Sequence, residues 1–161
     1  MTGSGLPSAV AGRIETLAAC ADEQALTRDA RALSRTYRSG SGSAKGAGDA
    51  LAYAVSRMPA TFAAAGRALS LTLACTDARP DTLLDAGAGT GALTLAASSL
   101  LSLRRRVCLE RESAMRALGE ELTQAAGSEA DWRPFDFLTE KSPLPRAGLV
   151  TEGYKIGRAH V

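Results

Sequence analysis

The stretch that most constrains this chain is residues 83–92, Leu-Leu-Asp-Ala-Gly-Ala-Gly-Thr-Gly-Ala. A short apolar run meets a turn with glycine at every second position, and helical spacing begins at once on the far side. The run, from Thr82 to Asp85, predicts a strand buried on both faces, as in a parallel sheet. Gly87, Gly89 and Gly91 allow the backbone angles of a tight turn and let a ligand approach the main chain. Ala92, Leu95, Ala96, Ser99 and Leu100 then share one side of a helix predicted over 91–103. A second strand is predicted over 106–110. A helix follows over 112–126, with Met115, Leu118 and Leu122 on one face and Gly127 placed to end it. A weak third strand lies near 131–133 and a fourth near 147–153. This alternation predicts an α/β fold with a parallel sheet and right-handed crossovers.

The chain ahead of this motif reads as helical. Leu6, Val10, Ile14 and Leu17 recur at steps of three and four. Asp22 is placed to cap a second helix carrying Leu26, Ala30, Leu33 and Tyr37. Glycine and serine crowd residues 38–48 and predict a mobile loop. Asp49 is expected to cap a third helix through Met58, and Pro59 to interrupt it or to start a fourth through Phe62 and Leu69 towards Leu73. Tyr53, Val55, Met58 and Phe62 are at helical spacing and are expected in the core. Arg35, Arg38, Lys45 and Arg57 suit RNA phosphates, or simply a solvated basic face.

With 161 residues and 45% apolar content, the chain can build a packed core. Its net charge of +2 says little about partners. The three cysteines, Cys20, Cys75 and Cys108, are far apart and include no C-x-x-C, so neither a disulfide framework nor a zinc site is indicated. Residues 1–20 carry no long apolar run, which excludes a signal peptide or membrane span there. Residues 156–161, Ile-Gly-Arg-Ala-His-Val, read like translated sequencing adapter, which removes His160, the sole histidine, as a catalytic candidate. The expected organisation is a helical region over 1–78, a partial Rossmann-like domain over 79–155 and a non-native tail over 156–161. A chain ending near Tyr154 would leave the outer edge of its fourth strand unpaired and be marginally stable.

Two ligand classes compete for the glycine turn. Gly87-x-Gly89-x-x-Ala92 fits a loose dinucleotide fingerprint, in which a pyrophosphate sits on the turn. A carboxylate two residues before the first glycine, Asp85, would repel those phosphates. S-adenosylmethionine has no phosphate and carries an ammonium and a sulfonium, which suits Asp85. Gly91, the third alternate glycine, also matches the methyltransferase form. Glu110 ends the second strand, 25 positions on from Asp85. It can accept both ribose hydroxyls, or serve as a strand-end partner for Arg111 or Arg106. Asp136, followed by Phe137, can meet the adenine amino group and ring, or lie in an ordinary loop.

Four stretches together resemble one family: 33–38 (Leu-Ser-Arg-Thr-Tyr-Arg), 52–62 (Ala-Tyr-Ala-Val-Ser-Arg-Met-Pro-Ala-Thr-Phe), the 85–91 turn, and 108–115 (Cys-Leu-Glu-Arg-Glu-Ser-Ala-Met). The Arg-x-Pro-Ala-Thr run is the most specific. The family is the methyltransferase-like group associated with the small ribosomal subunit in bacteria and mitochondria, ribosomal small subunit protein 22 or methyltransferase-like protein 17. Residues 149–154 look like its fourth-strand segment. The resemblance spans most of 6–154 and only the first part of the family's length. It implies a partial class I methyltransferase fold, contacts from Asp85, Gly87, Gly89 and Gly91 to the methionine part of S-adenosylmethionine, and a ribose contact from Glu110. It implies a role in small-subunit ribosomal RNA methylation or ribosome assembly, in the bacterial cytoplasm or the mitochondrial matrix. Members with an iron–sulfur cluster place its cysteines downstream of this sequence, so no metal is expected here. The expected function is therefore that of an S-adenosylmethionine-dependent methyltransferase domain, a non-catalytic assembly factor with a retained pocket, or, disfavoured by Asp85, a dinucleotide-binding oxidoreductase.

Overall fold

The computed structural model describes residues 5–38 (side chains as far as 33) and 46–153. Most of the glycine–serine loop (39–45, with Lys45), the side chains of Arg35, Tyr37 and Arg38, and residues 154–161, including Tyr154 and His160, lie outside the described residues. The elements are α1 (Ser8–Cys20), α2 (Glu23–Arg38), α3 (Ala47–Ser56), α4 (Met58–Ala74), β1 (Thr82–Ala86), α5 (Ala92–Leu100), β2 (Arg105–Leu109), α6 (Ser113–Ala125), β3 (Asp131–Arg133) and β4 (Leu149–Glu152).

The helix signals act through local chemistry. Asp22 caps α2, its Oδ1 accepting the Ala25 amide at 2.7 Å. Asp49 does not cap α3. That helix begins earlier, behind Gly46, and Asp49 lies in its first turn, where a carboxylate still favours the positive end of the helix. Pro59 starts α4 rather than interrupting α3, because a first-turn residue needs no N–H partner. The axis breaks at Arg57, whose carbonyl accepts the Thr61 amide at 3.0 Å. That break explains one departure from the expected core. Met58 and Phe62 are buried and Tyr53 packs against them, but Val55 is 42% exposed, since the helical period does not run on from α3 into α4. Gly127, at φ 63°, ends α6 as expected, with its amide on Gln124 O.

The four strands form one parallel sheet in the order β3-β2-β1-β4. This is the α/β fold read from the sequence, and the order reverses between β1 and β4. In open parallel sheets, ligands bind beyond the carboxyl ends of the strands at such a reversal. The crossovers through α5 and α6 lie on one face. The connection from β3 to β4 returns over the other face, as right-handedness requires. There Phe135 and Ala147 cover Leu84, Val107 and Leu109.

The largest core cluster joins the two expected regions. Val10 and Ile14 of α1, Ala50 and Ala54 of α3, and Met58 and Phe62 of α4 pack with Ala92, Leu95 and Ala96 of α5 and Met115, Leu118 and Leu122 of α6. Small alanines on α3 and α5 allow the helices to approach closely. The N-terminal helices thus roof the crossover helices and hold α5, and with it the glycine turn, against β1.

Candidate functional site

The turn after β1 takes the left-handed conformation three times, at Gly87 (φ 72°), Gly89 (φ 57°) and Gly91 (φ 84°). A side chain at any of them would be strained. Alternate glycines are therefore a backbone requirement here. The turn also consumes its own donors. The Gly87 and Ala88 amides both bond to Leu109 O, at 2.8 and 3.0 Å, extending the β1–β2 pairing past the strand ends. The Gly91 amide bonds to Ala88 O at 2.8 Å.

Glu110, immediately after β2, is half-buried and faces the turn. Its Oε2 accepts the Gly89 amide at 2.9 Å, and its Oε1 accepts the Glu112 amide at 2.9 Å. The chain leaving β3 runs directly alongside: Glu110 N bonds to Arg133 O, and Phe135 N to Glu110 O. Asp136 is thereby brought to the same end of the sheet. Its Oδ1 accepts the Leu138 amide at 3.0 Å, and its Oδ2 lies 3.8 Å from Arg111 Nη1. Phe137 is part-exposed, and its ring packs against Phe135 with centroids 4.7 Å apart. Gly153, just after β4, closes the other side, where a Cβ would stand 3.1 Å from Gly87 O. The structure thus gathers Gly87, Gly89, Glu110 and Asp136 at one end of the sheet.

Asp85 and Gly91 are elsewhere. Asp85 is fully buried beneath the turn, with protein donors on both carboxylate oxygens. Oδ2 accepts the Thr94 amide at 3.1 Å and the Thr94 hydroxyl at 2.7 Å; Oδ1 accepts the Thr151 hydroxyl at 3.0 Å. Burial pushes its carboxyl up to about 6, against the lowering by these hydrogen bonds, and the nearby Glu110 charge adds to the rise. The Thr94 hydroxyl gives its proton to Asp85, so the Cys108 thiol, 3.2 Å away, donates to Thr94 Oγ1. Burial first, and the Asp85 charge second, push that thiol up to about 12, which leaves it inert. One buried network thus ties β1, β2, β4 and α5 together. Gly91 is also buried, turned towards Thr123 and Trp132. Sequence reasoning passed over Thr94, Thr151, Trp132 and Thr90. The Thr90 hydroxyl is buried within the turn and has no hydrogen-bond partner among the described residues.

Reversed sheet order, a glycine turn after β1 and an acid at the end of β2 define a Rossmann-like α/β domain with its candidate site at the strands' carboxyl ends. Residues 47–158 match the family model described as mitochondrial small ribosomal subunit Rsm22, and the chain belongs to this family. A human relative, the mitochondrial ribosome assembly protein METTL17, is 42% identical over 86 residues, covering 52% of this chain and 19% of its own. The chain therefore spans about a fifth of that relative's length. Among solved structures, the YcgJ protein of Bacillus subtilis is 21% identical, with a TM-score of 0.45 over 55% of this chain and 38% of its own. The 16S rRNA methyltransferase RmtF, solved with S-adenosyl-L-homocysteine, is 25% identical, with a TM-score of 0.41 over 77% of this chain and 44% of its own. These two superpositions are partial and assign no ligand here.

Proposed function

We propose that this chain is the cofactor-binding part of a methyltransferase-like protein that binds S-adenosylmethionine and acts on or with the small ribosomal subunit. The observation that carries the ligand choice is the Glu110 carboxylate resting on the Gly89 amide. A dinucleotide site needs the amides of its glycine turn free to meet a pyrophosphate. Here the Gly87, Ala88, Gly89 and Gly91 amides all bond within the chain, and the Gly89 partner is itself an anion. A phosphate would have to displace a like charge; a phosphate-free, cationic ligand would not.

The residues present fit such a ligand. A carboxylate offers about four acceptor positions, so Glu110 can hold two amides and still accept ribose hydroxyls. Asp136 and Phe137 follow the segment that runs alongside Glu110, within reach of the adenine amino group and ring of such a ligand. The unpartnered Thr90 hydroxyl leaves one polar group inside the turn for the ligand to satisfy. Gly87 and Gly89 let the ligand approach the backbone. Asp85 contributes its charge from beneath the turn rather than a direct contact, and Gly91 contributes through packing. When bound, S-adenosylmethionine supplies a methyl group activated on sulfonium. The part of this chain is to bind and orient the cofactor and exclude water.

The family supports a place of work at the small ribosomal subunit or its RNA, and the human relative supports the mitochondrion, which in a eukaryotic cell we assign to its matrix. The role that names that relative, ribosome assembly, favours a second reading in which the pocket is kept and no methyl group is transferred. Calorimetry with S-adenosylmethionine and with NAD tests the ligand: binding of the first alone is expected, and binding of NAD alone would overturn the reading. A full-length family member assayed on small-subunit RNA separates enzyme from assembly factor. Ribosome binding without methyl transfer would establish the second.

A further inference from the structure

Gly119 lies in the interior of α6, where glycine weakens a helix and nothing in the helix itself requires it. Its reason is Trp132. A Cβ on Gly119 would fall 2.3 Å from Trp132 Cη2 and 2.7 Å from Cζ2, so the indole fills the space that any other residue would occupy. Gly91 also borders the ring: a Cβ there would meet Thr123 Cγ2 at 3.2 Å and Trp132 Cζ2 at 3.3 Å. Thr123 also fixes the ring. Its hydroxyl donates to Gly119 O at 2.9 Å and accepts the indole N–H at 3.3 Å. The indole therefore bridges β3, α6 and the last glycine of the turn.

We propose that Trp132 is a positioning residue for the glycine turn: the indole, locked in the slot between Gly119 and Gly91, holds the turn in its binding conformation. This rests on the cofactor reading above, because the ligand it serves is S-adenosylmethionine. Trp132 meets the turn at Gly91, whereas Glu110 meets it at Gly89. Its effect is on pre-organisation: a turn that must first order itself binds more weakly by the fraction of time it is ordered.

Trp132 is the sole tryptophan of the chain, so its fluorescence reports on the slot directly. Titrating the 161-residue chain with S-adenosylmethionine should change the emission saturably, with the dissociation constant that calorimetry gives. Trp132→Ala should raise that constant at least tenfold, and Gly119→Ala, which displaces the indole, should do the same. Trp132→Phe, which keeps a flat ring in the slot, should stay within about threefold of wild type. Hydrogen exchange gives a ligand-free reading: the Gly89 and Gly91 amides should exchange at least tenfold faster in Trp132→Ala, with the β1 amides unchanged. Should that variant not fold, Thr123→Val, which keeps the shape of the side chain but removes the hydroxyl that accepts the indole N–H and donates to Gly119 O, should speed the same amides two- to fivefold. Ligand binding with unaltered emission, or unaltered exchange at Gly89 and Gly91, overturns the inference. Absence of calorimetric binding to wild type overturns the cofactor reading instead, and the exchange experiment still decides the role of Trp132.

Discussion

Asp85 and Glu110 sit at the carboxyl ends of adjacent parallel strands, each beside the same glycine turn. One is the penultimate residue of β1, the other lies one residue beyond β2. Those few ångströms separate two different environments. Asp85 is closed under α5 and β4, where three donors meet its carboxylate and no water reaches it. Glu110 is open on one side, and its two partners are backbone amides that leave acceptor positions over. The same functional group thus holds the fold together in one place and, in the proposed function, faces the ligand in the other. Burial, not residue type, decides which.

The sharpest test removes the buried acid. Asp85→Ala leaves the Thr94 amide and the Thr94 and Thr151 hydroxyls without an acceptor. At about 1–3 kcal/mol for a buried unsatisfied group, unfolding in urea should show a loss of about 3 kcal/mol or more. A near-neutral result would mean that the network is slack and that Asp85 is not the structural member of the pair.

Next is pH. Asp85 titrates near 6 folded and near 3.8 unfolded, so between these values the folded state binds more protons than the unfolded state. Its contribution is fully present below about pH 4 and is lost as the pH rises through about 6. At about 1.4 kcal/mol per unit, the loss is on the order of 3 kcal/mol. Asp85→Asn should abolish this slope, leave stability at pH 4 little changed and raise it above pH 6. Urea midpoints measured across pH 4–8 check this, and an unchanged slope in the variant would assign it to other groups.

Glu110→Gln should do the converse. It should leave urea stability within about 0.5 kcal/mol, as for a part-exposed site, while weakening S-adenosylmethionine binding by about 1.4 kcal/mol, tenfold, in calorimetry. Loss of stability with unchanged binding would reverse the two roles. The smallest effect belongs to a pair remote from the turn. Arg104 and Asp81 form an ion pair at 2.5 Å with both side chains largely exposed, and Arg104→Ala should shift stability by no more than about 0.5 kcal/mol and affinity not at all.

Much of this was legible beforehand. The strand, glycine turn and helix at 82–100 announced themselves because their signals are local: an apolar run, a left-handed turn and a 3.6-residue period each act over a few neighbours. Even the short strand at 131–133 is legible in the residues themselves. Asp49 and Val55 are less legible, since Asp49 depends on where α3 begins and Val55 on where α4 takes over. The role of Asp85 was hidden further, because one of its partners, Thr151, lies 66 residues away. Trp132 carried a faint signal only through Gly119, an interior helix glycine with no local purpose.

The sequence alone therefore determined the elements, their order and the glycine turn, because backbone angles and hydrophobic period are properties of short segments. Only the tertiary structure decided which carboxylate was sealed and which stayed open, and which glycine met an indole rather than solvent. Those outcomes depend on how β4, α6 and the N-terminal helices close over the sheet, and dielectric environment and hydrogen-bond partners are set by that closure.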